Sequence, residues 1–564
     1  MRPLEVENMG ANGHGERARK LPKDFVWGYA TAAQQIEGAT STDGRGESIW
    51  DRFAKEQKDK VQDGSNGDVT CDSYHLYKTD VALLKSYKAK GYRFSLSWPR
   101  IIPDGGRDDP INPKGIECEW AAFDSSPDSQ LPPVTVLHRS PLDSPGAGSA
   151  DSLRCLADYN NLIDELLANR ITPFVTRKSL ALSPHLLPGG AEKDVVYHWD
   201  FPQVLEDRYG GWRNKDEVVK DFTRYADVCF EAFGDRVKNW ITINEPYVVT
   251  IPGWFNGDCA PGRSSKRPYS AAGDSETELW IVGHNLMVAH AHASKLYSRK
   301  YRPSQGGKIS ITLNGDWAEP WDDTPESYRA TERKMAAAIG WFADPIFLGR
   351  ESVSMRQMLG DRLPTFTPEE WELLRDSSDY YGCNTYTTNY IRDGGDDVST
   401  GCAELLFENA KGESLGEPGE SSQSMAGLGS LGIPETSQVP LQAIPEAYLV
   451  SDLSESSSSQ VCAPSVTEAG YASKDEHLMT REEACNDLDR AAYHTDYLDN
   501  LLAAVVDDGV DVRSYFGWTL MDNWEWSEGY IPRFGVTYVD FETRKRYPKL
   551  SSRRVTEWFD KHLA

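Results

Sequence analysis

Two glutamates stand where chemistry could be done. Glu245 follows the run Trp240-Ile241-Thr242-Ile243-Asn244 and precedes Pro246, and Glu468 follows Ser465-Val466-Thr467. They are 223 positions apart, yet each sits where a short β-rich run would end. Two carboxyl groups that meet can act on an acetal carbon: one protonates the departing oxygen while the other attacks or activates water. An isolated Asn-Glu-Pro is as readily a surface glutamate beside a turn, so the elements that hold the pair decide its meaning.

Eight β-rich runs alternate with amphipathic helices, the pattern of a parallel α/β protein. The candidate strands are Phe25–Ala30, Tyr92–Trp98, Thr172–Thr176, Trp240–Asn244, Lys308–Leu313, Tyr380–Asn384, Ser465–Thr467 and Ser514–Thr519. Between them, Phe222, Tyr225, Ala226, Cys229, Phe230 and Phe233 share one helical face, as do Leu162, Ile163, Leu166 and Leu167. A further helix carries Tyr497, Leu498, Leu501 and Leu502 and should stop near Asp508-Gly509. The count predicts a (β/α)8 TIM barrel, whose active site would lie at the C-terminal ends of the strands. Residues 1–20 read as a disordered lead and 21–564 as one barrel domain. Three irregular segments, 117–157, 177–197 and 402–463, break the rhythm. They are either surface insertions or translated non-coding sequence. The second reading suits the first two, because both sides of each gap read as one element.

Composition narrows the partners. With 60 Lys and Arg against 87 Asp and Glu, the formal net charge is −27, which repels nucleic acid and anionic lipid. The 17 Trp and 26 Tyr could stack on sugar faces or simply fill a core. Nine cysteines show neither a CxxC pair nor metal-ligand spacing. No metal or cofactor is expected. A polar Met1–Lys20, no long apolar run and no Asn-x-Ser/Thr acceptor point to a cytoplasmic location.

Several motifs, in order, resemble glycoside hydrolase family 1. They are Asp24-Phe25-Val26-Trp27-Gly28 continuing to Gly38, Tyr92 to Arg100, His198-Trp199-Asp200 with Pro202, Thr242 to Pro246, and Trp341 to Pro345. Gly517 to Trp526 and Arg533-Phe534-Gly535 complete the set. The resemblance implies a retaining β-glycosidase, most simply a β-glucosidase acting on small β-glucosides or cello-oligosaccharides, with Glu245 as acid/base and Glu468 as nucleophile. By the same resemblance Gln35, His198, Trp199, Asn244, Glu525 and Trp526 would contact the sugar at the cleavage site. Trp518 would lie under its ring and Phe534 near its hydroxymethyl end. Arg93 and Tyr386 would stabilise the anion of Glu468, with Tyr386 also facing the substrate. Glu245, beside that charge, should keep its proton at neutral pH.

The sequence also departs from the pattern. The usual Thr-Glu-Asn-Gly is here Thr467-Glu468-Ala469-Gly470, which removes an amide beside the nucleophile. The helix normally preceding that strand is not recognisable between Pro445 and Ala463. Arg177–Tyr197 separates the third strand from His198, and a displacement near 1 Å can cost about 100-fold in rate. A catalytically impaired family member that binds sugars is therefore one alternative. A β-glycosidase that also takes galactosides or fucosides is another. Anionic Glu525 argues against a sugar-phosphate substrate, and Glu245, where thioglucosidases typically carry Gln, argues against that class.

Overall fold

The structure, a computed structural model, describes residues 19–112, 157–173, 194–414 and 462–564. Its centre is a parallel sheet of nine short strands: β1 (Val26–Ala30), β2 (Gly91–Arg93), β3 (Thr172–Pro173), β4 (Asp194–Tyr197), β5 (Asn239–Asn244), β6 (Lys308–Asn314), β8 (Tyr381–Asn384), β11 (Pro464–Ala469) and β12 (Ser514–Trp518). They are ordered β3-β2-β1-β12-β11-β8-β6-β5-β4. The two ends of this list are halves of one barrel position, so nine strands make an eight-membered wall. Gly91 faces Thr172 and Tyr92 faces Pro173; continued one for one, Ser95 would face residue 176. Val195 stands there instead, 19 positions later, bridged in parallel to Ser95. Leu96 N donates to Val195 O at 3.1 Å and Val195 N to Phe94 O at 3.3 Å, closing the barrel.

This corrects one sequence expectation. The interruption assigned to 177–197 does not follow the third strand but falls inside it, because β-branched Val195 and Val196, with Tyr197, complete the wall beside β5. His198 then emerges at the strand's end, level with the other mouths. A second correction concerns 402–463. Its first part belongs to a three-stranded side sheet of β7 (Trp317–Pro320), β9 (Thr388–Asp393) and β10 (Ala403–Leu406). Residues 1–18 of the expected lead 1–20, 117–156, 177–193, and the absent-helix interval up to 461 lie outside the described residues, while Lys20 Nζ donates to Lys561 O at 2.6 Å.

Amphipathic helices cover the wall. In Lys215–Phe233, Asn214 caps the N-terminus by accepting from Glu217 N, and Asp216 and Glu217 suit the positive end of the helix dipole. Phe222, Tyr225, Ala226, Cys229, Phe230 and Phe233 are all fully buried. Each large apolar side chain so placed contributes about 1.5–3 kcal/mol. Tyr225 stacks on Trp98, ring centroids 4.8 Å apart, which ties this helix to the segment leaving the second strand. The final helix, Leu550–His562, closes the sheet from outside, with Phe559 stacked on Trp27 of β1 at 4.3 Å. A rigid wall results, and the groups at its C-terminal rim inherit that rigidity.

Candidate active site

Both glutamates occupy irregular backbone at strand ends. Pairing of β5 with β6 shifts register between Ile241 and Asn244, and pairing of β11 with β8 shifts between Val466 and Glu468. Such bulges redirect the next side chains. Glu245 has φ +47°, the left-handed region that a non-glycine residue before proline rarely takes; its N–H is held by Thr312 O at 2.9 Å. Trp199 and Trp526 are also left-handed, at φ +71° and +55°. Clustered backbone strain of this kind marks sites where placement outweighs local preference. Behind Glu468, a Cβ on Gly470 would meet Trp518 O at 2.1 Å, so only glycine lets β11 and β12 approach here. Ala469, where an amide was expected, is buried between these strands opposite Gly517.

A chain of hydrogen bonds joins the two carboxyls. Arg93 donates from Nη1 to Glu468 Oε1 and from Nη2 to Asn244 Oδ1 (2.6 Å). Asn244 Nδ2 in turn donates to Glu245 Oε2 at 2.9 Å. The other oxygen of Glu468 accepts from the Tyr386 hydroxyl, and Asn314 Nδ2 donates to Glu245 Oε1 at 3.1 Å. Asn384 supports this layer, donating to Asn244 Oδ1 at 3.1 Å and accepting from Thr467 Oγ1 at 2.7 Å. Glu468 has a buried guanidinium on one oxygen and a phenol on the other. Glu245 has only amide donors. Burial, then the charge of Glu468, pushes its carboxyl well above the ordinary range, with a smaller push from Asp316. Burial and the Arg93 charge drive His198 well below its usual value, leaving a neutral imidazole. Glu525 is raised strongly by burial, then by Glu528 and Glu468.

These groups surround one cavity of about 500 Å³, lined by His198, Trp199, Glu245, Tyr386, Glu468, Trp518, Glu525, Trp526, Glu528 and Phe534. His198 stacks between Trp518 and Trp526, at 5.9 and 6.1 Å, and Phe534 meets Tyr386 edge-on at 6.2 Å. Gln35, Asn244 and Arg93 stand one layer behind the lining. Gln35 Nε2 donates to Asn523 Oδ1 (2.9 Å) and Glu525 Oε2 (3.1 Å), while its own Oε1 and the Nδ1 of His198 are buried with no hydrogen-bond partner. Both suit a ligand that donates and accepts. Sequence reasoning missed Glu528, Asn314 and Asn384. The asparagines end their strands, as Asn244 does, and that position was the available signal. Glu528 lies in a short 3-10 turn three residues past Glu525, with no pattern of its own. Among the described residues, no set of three His, Cys, Asp or Glu is placed to hold a metal ion, and no helix is long and apolar enough to cross a membrane.

A barrel rim that presents two hydrogen-bonded carboxyls beneath stacked aromatic rings defines a glycosidase-type site. The profile of Glycosyl hydrolase family 1 matches residues 17–145 and 145–562, and the chain belongs to that family. Beta-glucosidase 1B of Phanerodontia chrysosporium is 47% identical over 546 residues, covering 97% of this chain and 86% of its own. The fold is similar to the crystal structure of the beta-glucosidase from Trichoderma harzianum (TM-score 0.79, 38% identity, 99% of this chain and 100% of that one). It is likewise similar to a GH1 beta-glucosidase from Humicola insolens solved with glucose (TM-score 0.80, 40% identity, 97% and 99%).

Proposed function

We propose that the chain is a retaining β-glucosidase that releases terminal β-glucosyl units from small β-glucosides and cello-oligosaccharides. The observation that carries this reading is the asymmetry between the two carboxyls of one cavity. Glu468 has a cation and a phenol on its two oxygens, and Glu245 has two amide donors and a strongly raised carboxyl. Glu468 therefore attacks the anomeric carbon as an anion while Glu245 delivers its proton to the leaving oxygen. The glycosyl ester removes the charge of Glu468, the second-largest cause holding Glu245 up. The Glu245 carboxyl then falls and can take a proton from the incoming water. Two inversions at one carbon leave its configuration unchanged.

On the same reading, Glu525, Gln35 and His198 hold hydroxyls of the glycone, and Trp518 and Trp526 supply its apolar floor. The family and its β-glucosidase relatives support the substrate class. A cytoplasmic setting belongs to the same proposal. It is compatible with cysteines of which none, among the seven described, forms a disulfide.

Purified protein mixed with an aryl β-glucoside and followed by proton NMR tests the reaction. Release of aglycone with β-glucose as the first sugar formed supports it. An α-anomer formed first contradicts retention, and glucose binding without turnover would mark a sugar-binding protein instead.

A further inference from the structure

The phenol on Glu468 is only as well placed as the backbone that carries it, and that backbone has an unusual anchor. Asp316 lies just past β6, one strand over from Tyr386, which lies just past β8. One carboxylate oxygen of Asp316, Oδ1, accepts from Tyr386 N at 2.8 Å and from Thr387 N at 3.1 Å. From the opposite side the Tyr493 hydroxyl, on helix Leu488–Val506, donates to Tyr386 O at 3.1 Å. Tyr386 is thus gripped at both of its backbone polar groups, and its hydroxyl donates to Glu468 Oε2. Hydrogen bonds to an ionised acceptor are about twice as strong as neutral ones. Two successive N–H groups on one oxygen fix both the position and the tilt of the peptide between them. Burial nevertheless pushes the Asp316 carboxyl up to about 6, against these two donors and the more distant charge of Lys334. What the two amides need is a fixed acceptor oxygen at this point, which an asparagine could also supply.

We propose that Asp316 is a positioning residue for the nucleophile, acting through Tyr386: it clamps the Tyr386 and Thr387 amides so that the phenol meets Glu468. The inference rests on the reading of Glu468 as nucleophile given above. A positioning role predicts that the effect of Asp316 travels through one side chain, and a double-mutant cycle reads this directly.

The experiment compares kcat/KM of the full-length enzyme, on one aryl β-glucoside, for Asp316→Ala, Asp316→Asn, Tyr386→Phe and Asp316→Ala/Tyr386→Phe, with thermal unfolding of each. Asp316→Ala is expected to lose up to about 100-fold, and Asp316→Asn, which keeps an oxygen for both amides, to recover most of that loss. The double variant should be no slower than Tyr386→Phe alone. Losses that multiply in full overturn the proposal, as does an Asp316→Asn as slow as Asp316→Ala while both unfold at the wild-type temperature. Neither result touches the covalent labelling of Glu468, on which the reading of the nucleophile stands or falls separately.

Discussion

Two buried charge clusters in this molecule are built on opposite principles. In the first, Asp522, Glu476 and Asp487 meet Lys549, Arg490 and Arg533. Lys549 donates to Glu476 and to Asp522 (2.7 Å), Arg490 to Glu476 and Asp487 (2.6 Å), and Arg533 to Asp522 (2.9 Å). Three carboxylates face three cations. Burial by itself would raise Asp522, but the charges of Lys549, Arg533 and Arg490 bring it below the ordinary range. In the second, Glu245, Glu468, Glu525 and Glu528 line one cavity, and among the described residues the guanidinium of Arg93 stands behind it beside a neutral His198. Burial is the largest influence on Asp522, Glu245 and Glu525 alike. The supply of cations decides the outcome. A balanced cluster is scaffold, and it fixes the loop that carries Phe534, since Asp522 also accepts from Gly535 N at 3.1 Å. A cluster short of cations stores a proton for chemistry.

The contrast has a sign in pH. Asp522, depressed, adds stability that is complete above the ordinary carboxyl range and is lost as pH falls through its lowered value. Glu245 and Glu525, raised, add stability present below the ordinary range and lost as pH rises through their elevated values. The scaffold therefore fails in acid and the site weighs on stability in alkali.

Substitutions can break or sharpen this comparison. The largest effect belongs to Glu468→Gln, which removes the attacking group and should cut kcat by on the order of 10⁵-fold or more, measured with an activated aryl glucoside. Glu245→Gln should cost roughly 10²–10⁴-fold in kcat/KM on a poor leaving group and much less in kcat/KM on one that needs no proton. The same variant should unfold at higher temperature than the wild type, and by a wider margin at alkaline pH. A stability gain that did not grow with pH would count against the stored proton. In the balanced cluster, Lys549→Met leaves Glu476 and Asp522 short of a cation and should destabilise by about 3–5 kcal/mol in denaturant unfolding. If the loss were under about 1 kcal/mol, in the range of surface pairs, the cluster would not be the scaffold described. The smallest effect is expected for Glu528→Gln. Removing that charge lets Glu525 ionise at lower pH, so the pH dependence of KM should move to lower pH with kcat little changed.

Much of this was legible in the residues. The eight strand positions followed from alternating β-rich and amphipathic runs, and Glu245 and Glu468 were placed by standing at strand ends. The third strand was not readable as built. Thr172-Pro173 and Asp194–Tyr197 are too short to signal one element across the residues between them, and pairing with β2 and β5 on either side is what joins them. Glu528 escaped because its role comes from burial beside Glu525, a property of the turn and not of spacing. The balanced cluster was equally hidden: Glu476, Asp487, Arg490, Asp522 and Lys549 come from separate turns and helices, and nothing in their order marks them as neighbours. Asp316 was invisible for a related reason, since it acts on backbone amides and matches no side-chain pattern.

The account is tested most directly by incubating the enzyme with a 2-deoxy-2-fluoro-β-glucoside bearing an activated leaving group, then mapping the modified peptide by mass spectrometry. A stable fluoroglucosyl ester on Glu468, slowly released as activity returns, is the predicted result. A label on any other carboxyl, or turnover with no covalent species, would contradict the division of labour between Glu468 and Glu245.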